Sequence, residues 1–119
     1  MSEQNKIAVV IYEPASGDTA RIYRGLKTAA EFANAGDDVV VLFDGSGVEA
    51  LAAVSDPGNP MNGLIDGIRP TVIGACKFCA ISHKVRDDIE RAGWPLVASN
   101  GGEASIRDLV NDGRQVLTY

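Results

Sequence analysis

Lys6-Ile7-Ala8-Val9-Val10-Ile11-Tyr12 is the stretch of sequence that decides the fold. From Ile7 to Ile11 it is continuously apolar and rich in β-branched residues, a pattern typical of a strand that is covered on both faces. Such strands belong to parallel sheets that pack against helices on either side. The stretch therefore predicts a buried parallel strand near the start of the chain.

Outward from this strand, helical and strand patterns alternate. A helix is expected to start at Ser16 or Asp18, which are capping residues, and to stop at Gly36. The predicted order continues with a strand at 38–43, a short helix at 48–54, a Pro/Gly/Asn stretch at 57–63, a strand at 71–75, a turn and helix at 76–92, a strand at 94–98, a helix at 103–111 and a strand at 115–119. In the helix at 76–92, Ile81, Val85 and Ile89 are expected to share one buried face. Five strands alternating with helices predict an α/β fold with a mainly parallel sheet and helices on both faces.

Length, composition and charge narrow the class of protein. The 119 residues, of which 45% are hydrophobic, suit one globular domain spanning residues 1–119. The longest apolar runs are strand-length, far short of the ~20 residues that cross a bilayer. With 11 basic and 16 acidic residues the formal net charge is −5, which disfavours binding to nucleic acid or anionic lipid. We expect neither partner and no membrane span.

The N-terminus and the cysteine content predict the compartment. Residues 1–6 are polar and lead directly into the first strand, without the features of a secretion signal. The two cysteines therefore fit a reducing cytoplasm, where close cysteine pairs are more often redox-active or metal-binding than structural.

Polar residues follow the predicted strands at the edge where ligands bind in parallel sheets. Ligands of such sheets lie beyond the carboxyl ends of the strands. Residues that follow or lie close to these ends, and that we expect along this edge, are Glu13, Ser16, Asp44, Cys76 and Asn100.

Cys76-Lys77-Phe78-Cys79 is the most chemically specific segment. Cys76 is predicted to lie between a strand and a helix, where outward-facing N–H groups favour an acidic, nucleophilic thiol. Cys79 lies about one turn further on, and His83 is on the same predicted face, where it could move a proton near neutral pH. The alternative is that either cysteine packs as a small apolar side chain and that His83 is solvated.

Two other kinds of site are weaker predictions. Structural zinc sites take four Cys or His ligands, and the chain has only three such residues, so a zinc site would need a carboxylate or a second subunit. We therefore predict no metal ion and no other cofactor. Gly45-Ser46-Gly47-Val48-Glu49-Ala50 loosely fits a dinucleotide fingerprint, but its acidic neighbours and its place after the second strand favour a simple turn.

The chain resembles small single-domain members of the DsrE/DsrF/TusD-like family of sulfur-relay proteins. The resemblance is nearly end to end and rests on the opening strand with Ser16-Gly17-Asp18, and on the segments 41–48, 72–80 and 112–118. It implies a three-layer α/β/α sandwich that assembles as a homotrimer or homohexamer, with an active cysteine at Cys76 and a second cysteine at Cys79. His83-Lys84-Val85 departs from the family, which often has glycine at the middle position.

The resemblance implies that Cys76 accepts sulfane sulfur as a persulfide from a donor protein or small thiol and hands it to an acceptor, a sulfurtransferase-like role. Two other functions fit the residues. Cys76 and Cys79 could catalyse thiol–disulfide exchange, or the domain could be a non-enzymatic ligand-binding or assembly subunit.

Overall fold

The computed structural model describes residues 3–119, which form a sheet of five parallel strands with helices on both faces. The strands are β1 (Lys6–Ile11), β2 (Asp38–Phe43), β3 (Val72–Cys76), β4 (Leu96–Val97) and β5 (Gln115–Thr118). The helices are α1 (Thr19–Asn34), α2 (Gly47–Val54), α3 (Asn62–Gly67), α4 (Lys77–Ser82), α5 (Arg86–Arg91) and α6 (Ile106–Asn111), with a 3₁₀ turn at Arg69–Thr71. The predicted α/β/α fold is confirmed.

The strand order β4-β3-β2-β1-β5 explains why the two outer layers are unequal. The first three crossovers step in one direction, from β1 to β4, and right-handed connections then place all their helices on one face. The last crossover returns past β1 to β5, so α6 lies on the opposite face. The core accordingly divides into a large cluster under α1 to α5 and a small one under α6.

The interior strand β1 is buried on both faces, as its sequence predicts. Ile7, Val9 and Ile11 belong to the large cluster, whereas Ala8 and Val10 belong to the small one. β1 pairs in parallel with β2 on one side and with β5 on the other. Because helices cover both faces of this interior strand, the side chains from Ile7 to Ile11 are all apolar.

α1 confirms the predicted capped helix. The Asp18 side chain accepts a hydrogen bond from the Ala20 N–H at 3.0 Å, so Asp18 rather than Ser16 is the cap. The helix ends before Gly36, whose φ of 85° is the left-handed conformation that glycine adopts without strain.

The single helix predicted at 76–92 is wrong, because this segment forms two short helices, α4 and α5. α4 ends as Lys84 turns into the left-handed region with φ of 60°, and the Val85 N–H bonds back to the Ala80 carbonyl. This is the glycine position of a helix C-terminus, occupied here by lysine. The break rotates Ile81 out to 48% exposure, so it does not share the buried face of Ile89.

Three smaller boundaries also differ from the predictions. β4 is only two residues long, and Trp94 before it is buried, donating from Nε1 to Ser55 Oγ at 2.7 Å. α6 begins at Ile106, not at residue 103, because Ser105 caps it by accepting from the Asp108 N–H. α3 follows a stretch whose prolines and glycines predicted only loop.

Candidate functional site

Asp44, Cys76 and Cys79 meet at the carboxyl edge of the sheet. β2 and β3 are neighbours with Phe43 opposite Ala75, so the next residues, Asp44 and Cys76, emerge side by side. α4 starts immediately after Cys76, and its first turn brings Cys79 back over the strand end. The two sulfur atoms lie 3.4 Å apart, and both lie within 4.8 Å of an Asp44 carboxylate oxygen. Both cysteines are free thiols.

Cys76 is the inner residue of the pair. It is only 1% exposed, and its Sγ accepts a hydrogen bond from the Ala104 N–H at 3.4 Å. The loop that supplies this N–H is held by mutual backbone hydrogen bonds between Asn100 and Glu103, and by Phe78 N–H donating to the Gly102 carbonyl at 3.1 Å. The sulfur is therefore covered by a fixed loop that offers it a hydrogen-bond donor.

Cys79 is the outer, half-buried residue of the pair. Its Sγ donates to Asp44 Oδ1 at 3.7 Å. Burial, the contact with Cys76 and the negative charge of Asp44 raise the pKa of the Cys79 thiol to about 12, against the opposing effect of the Gly45 N–H. Cys79 therefore keeps its proton at neutral pH and donates it in a hydrogen bond to Asp44.

Tyr12 completes this edge and was missed from the sequence. Its pKa is raised by burial first, and then by the charge of Asp44 and a hydrogen bond to the same carboxylate. Its hydroxyl therefore stays protonated and faces Asp44, and the side chain is 39% exposed. Its position directly after the first strand could have identified Tyr12 as an edge residue, but the sequence analysis selected the next residue, Glu13.

His83 lies outside the thiol cluster. Its Nδ1 pairs with Glu49 Oε2 at 2.5 Å, which joins the end of α4 to α2. Among residues 3–119, the only group of three or more potential ligands within 4.8 Å of one another is Asp44, Cys76 and Cys79, and His83 is not part of it. Glu49 fixes the orientation of the ring, and sequence reasoning had interpreted Glu49 only as part of a glycine-rich turn.

The other predicted edge residues stabilise loops. Glu13 accepts the Asp18 N–H at 3.1 Å and pairs with Arg21 at 3.8 Å, so it stabilises the entry to α1. Ser16 is exposed in the turn before that helix, and Asn100 is exposed in the loop that covers Cys76. Of the four candidates, only Asp44 reaches the cysteines.

The glycines of the weak dinucleotide motif have a structural explanation. The Gly45 N–H donates to Asp44 Oδ1 at 2.8 Å and is thus already engaged, and its φ is 54°. A Cβ on Gly47 would collide with the Ile11 carbonyl oxygen, because α2 begins tightly against the end of β1. The motif is a turn, as its context favoured.

No protein-family model, curated protein or solved structure matches the chain. The family assignment therefore stays a prediction, and function is inferred below from the side chains at the sheet edge. In the part of the chain from residue 3 onward, no helix has the length and apolar character needed to cross a bilayer.

Proposed function

We propose that the protein is a sulfur carrier that accepts sulfane sulfur on Cys76 and passes it to an acceptor. The observation that best supports this proposal is the pair of free thiols, 3.4 Å apart, at the carboxyl edge of a parallel sheet. We place this chemistry in a reducing cytoplasm, which the cysteine content favours, and in a homotrimer or homohexamer, which the family resemblance implies.

The transfer step follows from the two different environments of the thiols. The Cys76 thiolate attacks the outer sulfur of a donor persulfide, R–S–SH, to give Cys76–S–SH and release RS⁻. The Ala104 N–H, 3.4 Å from Cys76 Sγ, stabilises negative charge on this sulfur before and after transfer. The leaving thiolate takes its proton from water, because Cys79, with a pKa of about 12, is a weaker acid than the thiol that forms.

Burial of Cys76 favours small donors. With 1% of Cys76 exposed, a donor reaches the sulfur past Cys79 and Asp44 or after the covering loop moves. A polysulfide or cysteine persulfide fits this approach more readily than the folded surface of a protein does. The sulfur acceptor is then a small thiol or a flexible cysteine-bearing segment.

The test is to treat reduced, metal-free protein with polysulfide and to measure its intact mass. We expect the wild type and Cys79→Ser to gain sulfur, and Cys76→Ser to gain none. A wild type without an adduct, or an adduct that persists in Cys76→Ser, contradicts the proposal. Far-UV circular dichroism of each variant shows that the fold is intact.

Thiol–disulfide exchange is the second candidate, favoured by the same short distance between the sulfurs. Oxidation of the pair releases two electrons to an acceptor disulfide, which is reduced to two thiols. A redox titration against glutathione tests this second function. A Cys76–Cys79 disulfide that forms at the redox potential of the cellular glutathione pool supports thiol–disulfide exchange, and failure to form one excludes it.

A further inference from the structure

Three metal-ligating side chains from different elements converge at the sheet edge. Asp44 follows β2, Cys76 ends β3, and Cys79 lies in the first turn of α4. One ligand atom from each lies within 4.8 Å of the other two. From the sequence, a zinc site would need a carboxylate or a second subunit, and no metal was predicted. The tertiary structure places the Asp44 carboxylate beside the two cysteines.

The distances match a tetrahedral zinc ion. Zinc binds thiolate at about 2.3 Å and carboxylate oxygen at about 2.0–2.2 Å, so ligand atoms of one tetrahedron lie roughly 3.5–3.8 Å apart. The two sulfurs are 3.4 Å apart, and Cys79 Sγ is 3.7 Å from Asp44 Oδ1. These two distances differ from those of a zinc tetrahedron by a few tenths of an ångström, and the third, between Cys76 Sγ and an Asp44 oxygen, is within 4.8 Å.

The charges at this position also favour a cation. Asp44 is half-buried and, within residues 3–119, forms no ion pair with a lysine, arginine or histidine. Its carboxylate accepts hydrogen bonds from neutral donors, which are the Gly45 N–H, the Cys79 thiol and the Tyr12 hydroxyl. A bound cation displaces the proton of Cys79 and offsets the charges of the two thiolates and the carboxylate that then surround it.

We propose that Asp44, Cys76 and Cys79 form a Zn²⁺ site with three protein ligands and a fourth position open to water or a small thiol. Two sulfurs and one oxygen select Zn²⁺ over Mg²⁺ or Ca²⁺, which take oxygen ligands. Asp44 and Cys79 are half-buried, which leaves a path for the ion from solvent. This goes beyond sulfur transfer, because the bound ion masks both thiols and the metal site does not require a sulfur donor.

The experiment is a titration of reduced, sulfur-free protein with Co²⁺, followed by displacement with Zn²⁺. We expect one Co²⁺ per chain, with a thiolate-to-cobalt charge-transfer band in the near ultraviolet and the visible bands of tetrahedral cobalt. Cys76→Ser and Cys79→Ser should each lose most of the charge-transfer intensity. Mutating a residue that only hydrogen-bonds to a metal ligand typically lowers metal affinity by about 10–100-fold. Asp44 is proposed as a ligand itself, so Asp44→Asn should weaken Zn²⁺ binding by at least about tenfold.

The matched control is Asp87→Asn, which removes an exposed carboxylate on α5 and should bind metal as the wild type does. The proposal is overturned by any of three results: no charge-transfer band with Co²⁺ in large excess, half an ion per chain, or unchanged affinity in Asp44→Asn. Circular dichroism of each variant separates loss of a ligand from loss of the fold. Because the titration contains no sulfur donor and the sulfur-loading assay contains no metal, either proposal can fail while the other holds.

Discussion

The side chains of Cys76 and Cys79 differ in burial and in their hydrogen-bond partners, although two residues separate them. Cys76 is covered by a loop and accepts the Ala104 N–H, whereas Cys79 is half-buried and donates to Asp44. The inner sulfur is thereby suited to hold negative charge and the outer one to hold a proton. This difference arises from residues 44 and 104, which are distant in sequence from the pair.

The raised pKa of Cys79 predicts how its alkylation depends on pH. A thiol with a pKa of about 12 has a thiolate fraction that rises about tenfold per pH unit from about pH 7 to about pH 10 without levelling. Cys76→Ser should lower this pKa more than Asp44→Asn does, because Cys76 contributes the larger part of the shift after burial. Iodoacetamide labelling of Cys79 at several pH values, followed by peptide mass spectrometry, measures both effects.

The control for this labelling is Asp87→Asn, whose carboxylate lies on α5 outside the thiol cluster. Its labelling profile should coincide with that of the wild type. A labelling rate in the wild type that levels off near neutral pH would contradict the assignment of Cys79 as the protonated partner.

At the level of elements, the end of α4 depends on a strained residue. Lys84 has φ of 60°, which costs a side-chain-bearing residue roughly 1–2 kcal/mol. Lys84→Gly should therefore raise the free energy of unfolding by about 1 kcal/mol, part of the gain being offset by the flexibility of glycine in the unfolded chain. Urea unfolding measures the change through the fluorescence of Trp94, the single tryptophan, which is buried.

Lys84→Ala is the matched control for this change. It removes the same charge and keeps the Cβ atom, so the strain persists and stability should not rise. An equal stabilisation by alanine and glycine would mean that lysine's charge, and not the left-handed conformation, is the cause.

The contact between α2 and β1 is predicted to tolerate no side chain at Gly47. A Cβ there meets the Ile11 carbonyl oxygen, so Gly47→Ala should lower the free energy of unfolding by about 1–3 kcal/mol as the backbone shifts. Gly63→Ala, within α3 where nothing lies within 4 Å, should instead stabilise by about 0.5–1 kcal/mol. Urea unfolding should show that the free energy of unfolding falls in Gly47→Ala and rises in Gly63→Ala. Equal changes in the two variants would contradict the contact between Gly47 and Ile11.

At the scale of the whole molecule, Arg114 ties together the amino ends of the central strands. Its side chain is 9% exposed; Nη1 donates to the carbonyls of Ile7 and Asp38 and to the Asp38 carboxylate, while Nε donates to Asp112. Removing the guanidinium takes this donor away from the two carbonyls and the Asp38 carboxylate, whereas Asp112 keeps its ion pair with Lys6. The arginine therefore joins β1, β2 and the start of β5 at the edge opposite to the cysteines.

Arg114→Met should lower the free energy of unfolding by about 2 kcal/mol, because buried acceptors lose a charged donor. Arg91→Met removes an exposed arginine that pairs with Asp88, and should change stability by less than about 0.5 kcal/mol. Thermal or urea unfolding measures both. Because Arg114 lies at the opposite edge of the sheet from the cysteines, folded Arg114→Met should load sulfur on Cys76 as the wild type does. Equal stabilities of Arg114→Met and Arg91→Met would contradict the role assigned to Arg114.

The assembly remains a prediction from the family resemblance. α6 alone covers the second sheet face, where Ile73, Val97 and Val116 are only partly buried. Light scattering on the purified protein measures whether the chain forms the trimer or hexamer that the resemblance implies.

The apolar pattern and the glycines were sufficient to predict the class of fold. A continuously apolar β1, a capped α1 and regular alternation of elements reflect local preferences and burial, which are written in consecutive residues. The same reasoning located the cysteine pair at a strand end. It failed at 76–92 because the helix break depends on Lys84 adopting a conformation that its residue type disfavours.

The chain by itself therefore determined the layers of this protein and the edge at which its reactive groups lie. Only the tertiary structure decided the strand order, the burial of Cys76, the pairing of His83 with Glu49 and the convergence of Asp44 and Tyr12 on the thiols. The physical reason is that periodicity reports which face of an element is buried, whereas contacts between residues 44, 76 and 104 depend on which strands are neighbours. That choice is made by packing across the whole sheet.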